Sequence, residues 1–382
     1  MPESNRSRAG GQDPRNQDPR SRDPRNQDPR TPGSRSAEAG VIETRQVTAT
    51  ALGPWPGEDP LESTRIVRGE LGSPHLPFLV ELPDRGVGSD ALGRTASLLV
   101  DLSVDVQPYG WRIVDRPGRD LMKAKSALST DVNVLADVAG TEESPARDFK
   151  VQLRGPLSLA AGLHLHNGER ALIDYGARRD IAESLAAGVG DFLSRVGTAV
   201  PGARLVVQID EPDVAAVLAG TIPTSSGYRT LRSVPGQEVT ESWRLVIDAI
   251  RAAGAVETVI AVAEIEAPFD RILSSGADGI AVPLKALTSR QWEELAGAVE
   301  AGKSLWAGVL QVNDASAALP RVQDAVENVW RPWRQLGLPA SALDSIRVTP
   351  SAGLAGHTPS SATAVLARLT QVADGLNQLA LG

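Results

Sequence analysis

After about residue 47 the chain repeats one pattern: a short run of β-branched and apolar residues, then a longer stretch with apolar residues at three- and four-residue spacing. Runs of four to eight such residues fit buried strands, and the longer spacing fits one face of a helix. Their alternation points to parallel strands joined by crossover helices. The runs fall at 48–55, 78–82, 150–154, 204–210, 258–263, 279–282, 304–311 and 345–349. Eight is the number that closes a (β/α)8 TIM barrel, which forms a single domain of about 250 residues or more. Helices are expected over 60–71, 180–196, 242–253, 289–301 and 361–376, the first capped by Asp59 before Pro60 and the fourth by Thr288 or Ser289 ahead of Glu293 and Glu294. The long interval between the second and third runs leaves room for an extra helix or hairpin at 91–139.

Residues 1–46 break the pattern. Asp13-Pro14-Arg15, Asp18-Pro19-Arg20, Asp23-Pro24-Arg25 and Asp28-Pro29-Arg30 recur with a five-residue period. Each copy pairs an acid with a base and offers nothing to bury, so the entropy lost on ordering has no core to offset it. The expectation is a disordered tail, either dispensable or a partner-binding arm, followed by one α/β barrel over 47–382.

A formal net charge of -8 lacks the basic excess that phosphate backbones select, which argues against a nucleic-acid partner. No run approaches the roughly 18 apolar residues of a membrane span, and the N-terminus has no apolar signal-peptide core. The expected location is the cytoplasm, with no membrane partner. The chain has no cysteine, which excludes disulfides, thiolate metal sites, cysteine nucleophiles and iron-sulfur clusters.

In a barrel of this class, groups at the C-terminal strand ends share one pocket. Those ends carry Leu52, Gly53 and Pro54; Glu81; Gln152 and Arg154; Gln208, Asp210 and Glu211; Ala261, Ala263 and Glu264; Pro283; Gln311, Asn313 and Asp314; and Ser351 and Ala352. The sharpest signal is Gln208-Ile209-Asp210-Glu211-Pro212, an apolar strand ending in two carboxylates and a proline; the bland alternative is a solvated strand end or a helix cap. His164 and His166 have no third ligand nearby in sequence and precede the turn signal Asn167-Gly168, so a surface pair is expected. His357, in a loop after the last strand, is the one histidine kept as a catalytic candidate. Gly86-Val87-Gly88 and Gly353-Leu354-Ala355-Gly356 match no phosphate-binding spacing and read as turns or close approaches. Trp330 and Trp333 read as core packing on a helix with Val329 and Leu336.

Six segments, ALGPWPGEDP at 51–60, ELPDRGVGSDALGR at 81–94, GPLSLA at 155–160, QIDEP at 208–212, GADGIAV at 276–282 and TPSAGLAG at 349–356, stand in the order and spacing of one family. With them the chain resembles the catalytic barrel of cobalamin-independent methionine synthase, in its short single-barrel form, over about residues 48–380. The resemblance implies methyl transfer to the homocysteine sulfur, activated by a zinc ion with an open coordination position. The family's zinc ligands fall here on Ala261, Ala263, Pro283 and Ala352, its proton-donor histidine on Asn313, and a motif serine on Pro54. No cofactor is therefore predicted and no residue is given a catalytic role. Asp210 matches the carboxylate that contacts the substrate amine, and Glu81 a second acid in that role. Ala216 stands where a folate-contacting acid is found, which argues against a folate donor. The implied site is Gly53, Glu81, Asp210, Glu211 and Asn313, binding a small amino-acid-like ligand such as homocysteine or methionine; a protein partner or methyl-donor protein would be the further company. Two readings stay open: a divergent methyltransferase of methionine biosynthesis, or a non-catalytic binding or interaction barrel derived from one. A third is a different enzyme using Asp210, Glu211, Glu264 or Asp314 for acid-base work.

Overall fold

Strands that are apolar on both faces need a layer on each side, and the runs found in the sequence are so placed. The computed structural model describes residues 46–263, 266–285 and 287–381; the Asp-Pro-Arg repeats and Glu264 lie outside them. β1 (Thr48–Ala49) leads to α1 (Pro60–Glu70), where the Asp59 carboxylate accepts from the Leu61 and Glu62 N–H groups at 2.8 and 3.2 Å. The long interval holds both devices, a hairpin and helices: α2 (Ala91–Ala96), β2 (Ser103–Gln107) paired antiparallel with β3 (Gly110–Val114), and α3 (Arg119–Ala139). Then come β4 (Asp148–Arg154), α4 (Pro156–Gly162), α5 (Tyr175–Ala199), β5 (Arg204–Asp210), α6 (Val214–Ala219) and α7 (Gly236–Ala252). The chain continues through β6 (Glu257–Ala261), α8 (Phe269–Ser274), β7 (Gly279–Pro283), α9 (Ser289–Glu300), β8 (Ser304–Leu310), α10 (Val322–Gln335), β9 (Ile346–Pro350) and α11 (Pro359–Ala380). α5 begins earlier than its apolar spacing predicts because Asp174 caps it, accepting from Ala177 N–H at 2.8 Å. At α9 the cap is Thr288, in a capping box completed by Gln291 rather than by the expected glutamates.

The sheet is parallel and seven-stranded, in the order β1-β9-β8-β7-β6-β5-β4. The expected first strand, 48–55, is cut to two residues, and the expected second, 78–82, forms only isolated parallel bridges, Phe78 to Lys150 and Glu81 to Pro54. Prolines account for both changes. Pro54, Pro56, Pro77 and Pro83 lack the N–H that a ladder needs, so pairing is broken into single contacts. Those contacts are well formed: Leu79 N–H donates to Lys150 O at 2.9 Å, Lys150 N–H to Pro77 O at 2.9 Å, and Trp55 N–H to Glu81 O at 2.8 Å.

Alternation along each strand divides the core in two. Val207 and Ile209 join the large cluster between sheet and helices, with Leu185, Val246 and Ile250. Inward-facing Val206 joins a small separate cluster with Leu76, Val259, Ala261, Ala281 and Trp306. That inner cluster is small because its neighbours are polar: Lys150, Gln152 and Gln208 are buried beside it. No helix among the described residues is long and apolar enough to cross a membrane.

Candidate functional site

Register assembles the site from adjacent strands. Gln152 is paired with Gln208, Arg154 with Asp210, and Asp210 in turn with Ala261. Lys150, one step below Gln152 on the same face, is fully buried and donates from Nζ to Gln208 Oε1 at 2.8 Å and Gln152 Oε1 at 3.2 Å. An ammonium only donates, so both amide oxygens must face it and both amide nitrogens must face away. Gln152 Nε2 accordingly donates to Leu79 O at 2.7 Å and to Glu81 Oε1 at 3.1 Å. Gln208 Nε2 donates to Leu52 O at 2.9 Å and to Asp210 Oδ1 at 2.6 Å. One cation thus orients two carboxylates through two matching amides, and each amide also holds a main-chain carbonyl of the proline-broken segments. Lys150 Nζ further lies 5.0 Å from the Phe78 ring centroid.

Gly53 is part of this arrangement. Its φ of +118° suits glycine alone, and a Cβ there would stand 2.6 Å from Gln152 Cδ. Glu81 is 2% exposed, and its Oε2 has no hydrogen-bond partner among the described residues. Burial pushes both carboxyls up: Glu81 upward against the pull of Arg94, and Asp210 to about 7, with the neighbouring Glu81 charge adding to the rise. Burial likewise lowers Lys150 to about 7, with Asp210 and Glu81 opposing it.

The other sequence-derived candidates lie apart from this cluster. Glu211 is fully buried and turned to the N-terminus of α4, accepting from Leu157 N–H at 3.1 Å, Ser158 N–H at 2.8 Å and Trp243 Nε1–H at 2.9 Å. Asn313 is exposed in the loop after β8, and Asp314 beside it accepts from Ser316. His357 is held at both nitrogens, with Nε2 2.9 Å from Val312 O and Nδ1 3.0 Å from Ser361 Oγ. Since Val312 O only accepts, Nε2 carries the proton. The expected surface pair of histidines is corrected: His166 is exposed, but His164 is buried under the β2–β3 hairpin, edge-on to Tyr109. The hairpin that covers it was not resolved by periodicity. Trp333 is core, as expected, with its Nε1–H on Pro339 O at 3.0 Å.

Sequence reasoning missed Lys150 and the pairing of its glutamines. The available signal was a lysine inside an otherwise apolar run. It also missed the floor, where Glu257 accepts from Ser304 Oγ at 2.7 Å, Trp306 Nε1 at 3.2 Å and Arg347 at 3.2 Å, with the Arg347 guanidinium 4.9 Å from the Trp306 ring. These groups sit at the N-terminal strand ends, where a fold of this kind places stability rather than chemistry.

The positions implied for zinc offer no donor: Ala261 closes β6, Pro283 closes β7, Ala263 is exposed and Ala352 follows β9. No cluster of three or more histidine, cysteine or acidic side chains able to hold a metal occurs among the described residues. Side chains of this chemistry do not fit a zinc ion.

An open parallel sheet flanked by helices, with charge gathered at the C-terminal strand ends, defines an α/β protein of the TIM-barrel-like class. Residues 47–375 match the cobalamin-independent synthase catalytic domain, and the chain belongs to that family. Among solved structures it is similar to a B12-independent methionine synthase from Shewanella sp. W3-18-1, determined in complex with selenomethionine, at TM-score 0.56 and 12% identity over 88% of this chain and 98% of that one. It is also similar to the GH20 β-N-acetylhexosaminidase of Streptomyces coelicolor A3(2), at TM-score 0.46 and 14% identity over 87% and 65%. No curated protein matches the sequence significantly.

Proposed function

We propose that this chain is a divergent member of the family that binds an α-amino acid such as homocysteine or methionine, with Glu81 and Asp210 receiving its ammonium group. The observation that carries this is the buried pair of carboxylates, oriented by Lys150 through Gln152 and Gln208, with Glu81 Oε2 left without a partner among the described residues. A ligand ammonium would supply the missing donors and the countercharge, and charge-assisted bonds of this kind are the strong ones. The complex of the Shewanella synthase with selenomethionine is in keeping with an amino-acid ligand. Gly53 leaves room for the Gln152 side chain, Glu211 fixes the start of α4 behind the site, and Asn313 lies exposed in the loop after β8. The segment from Pro77 to Leu82 serves as the eighth stave, closing the sheet into a barrel through its contacts to both edges.

Zinc-assisted methyl transfer, the family's chemistry, has no ligands at its expected positions. A thiol bound here would lack the metal that makes it a thiolate, leaving only the rate that positioning supplies. The test is metal analysis of the purified full-length protein together with calorimetric titration of homocysteine and methionine, with and without added zinc. Metal-independent binding of either amino acid, lost in Asp210→Asn, is the expected result. Stoichiometric zinc with zinc-dependent homocysteine binding would restore the methyltransferase reading, and no binding under any condition would leave an interaction scaffold.

A further inference from the structure

Arg154 closes β4, and its register partner on β5 is Asp210, so guanidinium and carboxylate leave adjacent strands on the same face. Its backbone is fixed, with the N–H donating to Thr95 Oγ1 at 2.8 Å. Its guanidinium makes no hydrogen bond or ion pair among the described residues, although its charge is near enough to pull the carboxyls of both Glu81 and Asp210 down. Other arginines around the sheet are committed: Arg85 and Arg94 to Asp131, Arg178 to Glu238, Arg347 to Glu257. Arg154 is partly exposed, and its charge reaches Glu81, whose Oε2 has no hydrogen-bond partner among the described residues.

A cation and a carboxylate at paired positions of adjacent strands, whose backbones lie about 4.8 Å apart, present charges of both signs on one face. The ammonium and carboxylate of an α-amino acid are joined through a single carbon, so one small ligand can meet both. A guanidinium fork suits the carboxylate, which it binds through two parallel N–H groups. On the far side of Asp210 the register continues to Ala261 and then Ala281, so a ligand side chain turned that way meets small apolar groups.

We propose that Arg154 binds the ligand's α-carboxylate, so that the site selects zwitterionic α-amino acids over simple amines. The inference rests on the amino-acid-binding reading above. It is tested with the full-length protein by calorimetric titration of L-methionine and of L-methioninol, which carries an alcohol in place of the carboxylate, on the wild type, Arg154→Gln and Arg154→Lys. The wild type should bind methionine roughly 10- to 100-fold more tightly than methioninol, the range of one charge-assisted bidentate contact. Arg154→Gln should remove that preference and leave methioninol affinity within about twofold, which also shows that the variant is folded; Arg154→Lys should recover part of the preference. Equal wild-type affinity for the two compounds overturns the assignment, as does a preference that survives in Arg154→Gln. If the wild type binds neither compound, the amino-acid reading itself is refuted, and the role of Arg154 with it.

Discussion

Gly53→Ala tests whether the paired-amide arrangement is as tightly coupled as its geometry indicates. Three costs arise from one methyl group. An alanine at φ +118° is held in a sparsely populated region, at about 1–3 kcal/mol. Its Cβ would stand 2.6–2.8 Å from three atoms of the Gln152 side chain, so that side chain must move or accept overpacking of about 1–3 kcal/mol. If it moves, the Gln152 to Glu81 bond at 3.1 Å is lost, at about 1.5–3 kcal/mol for a charged acceptor. The last two costs are alternatives, so the expected loss is about 2–6 kcal/mol. Urea denaturation followed by tryptophan fluorescence would read it as a midpoint lower by about 0.7–2 M at an m value of roughly 3 kcal/mol/M. The sharper assay adds Gln152→Ala and the double variant. With the glutamine side chain gone the clash is gone, and the alanine at 53 should cost only its backbone strain, giving a coupling of about 1–3 kcal/mol between the two sites. Additive effects, within about 0.5 kcal/mol, would refute the steric link between Gly53 and Gln152.

Because burial holds the Asp210 carboxyl near 7, an ammonium ligand binds its ionised form only as pH rises toward that value. Methionine affinity should therefore climb up to about tenfold per unit between pH 5.5 and 7 and then level, and Asp210→Asn should flatten the profile. The same shift has the opposite sense for the free protein: a raised carboxyl contributes its full stability only below about pH 4 and loses it as pH rises to about 7, by at most about 1.4 kcal/mol per unit, which denaturation across that window would detect. Asp131→Asn removes the fully buried partner shared by Arg85 and Arg94 and should cost about 3–5 kcal/mol in chemical denaturation. Gly188→Ala would drive a Cβ to 1.8 Å from Leu98 O where α5 meets the chain before β2; an expected loss of about 2–4 kcal/mol, despite alanine's better helix propensity, is read from the same assay.

Strand positions were legible wherever a run of β-branched residues was free of proline. 204–210 was read to the residue, and 279–282 and 304–311 to within one, because their apolar character on both faces has a single structural solution. Around Pro54, Pro56, Pro77 and Pro83 the same residue types gave bridges, since periodicity reports burial and is blind to a missing N–H. Asp210 and Glu81 were legible as strand-end acids, and the structure does bring them onto one network. Glu211, adjacent in sequence, faces the other way for the reason that all strand neighbours do: side chains alternate. Lys150 was invisible as a partner because its meaning depends on glutamines on two strands, and pairing register is not written in either strand alone.

The two halves of the strand-end ring have different reasons to exist. Lys150, Gln152 and Gln208 tether the Leu52 and Leu79 carbonyls, which belong to the segments where prolines have broken the ladder. That network holds irregular backbone in place, so the fold alone accounts for its presence, and for Gln208's contact with Asp210. Ala261, Pro283 and Ala352 have no side-chain part in that network. The binding reading must then stand on what the fold does not use. Glu81 Oε2 and the Arg154 guanidinium are those groups: one buried acceptor and one cation at neighbouring strand ends, neither given a hydrogen-bond partner by the described residues. A small molecule that carries both an ammonium and a carboxylate would engage both groups at once, which is what the comparison of methionine with methioninol reads.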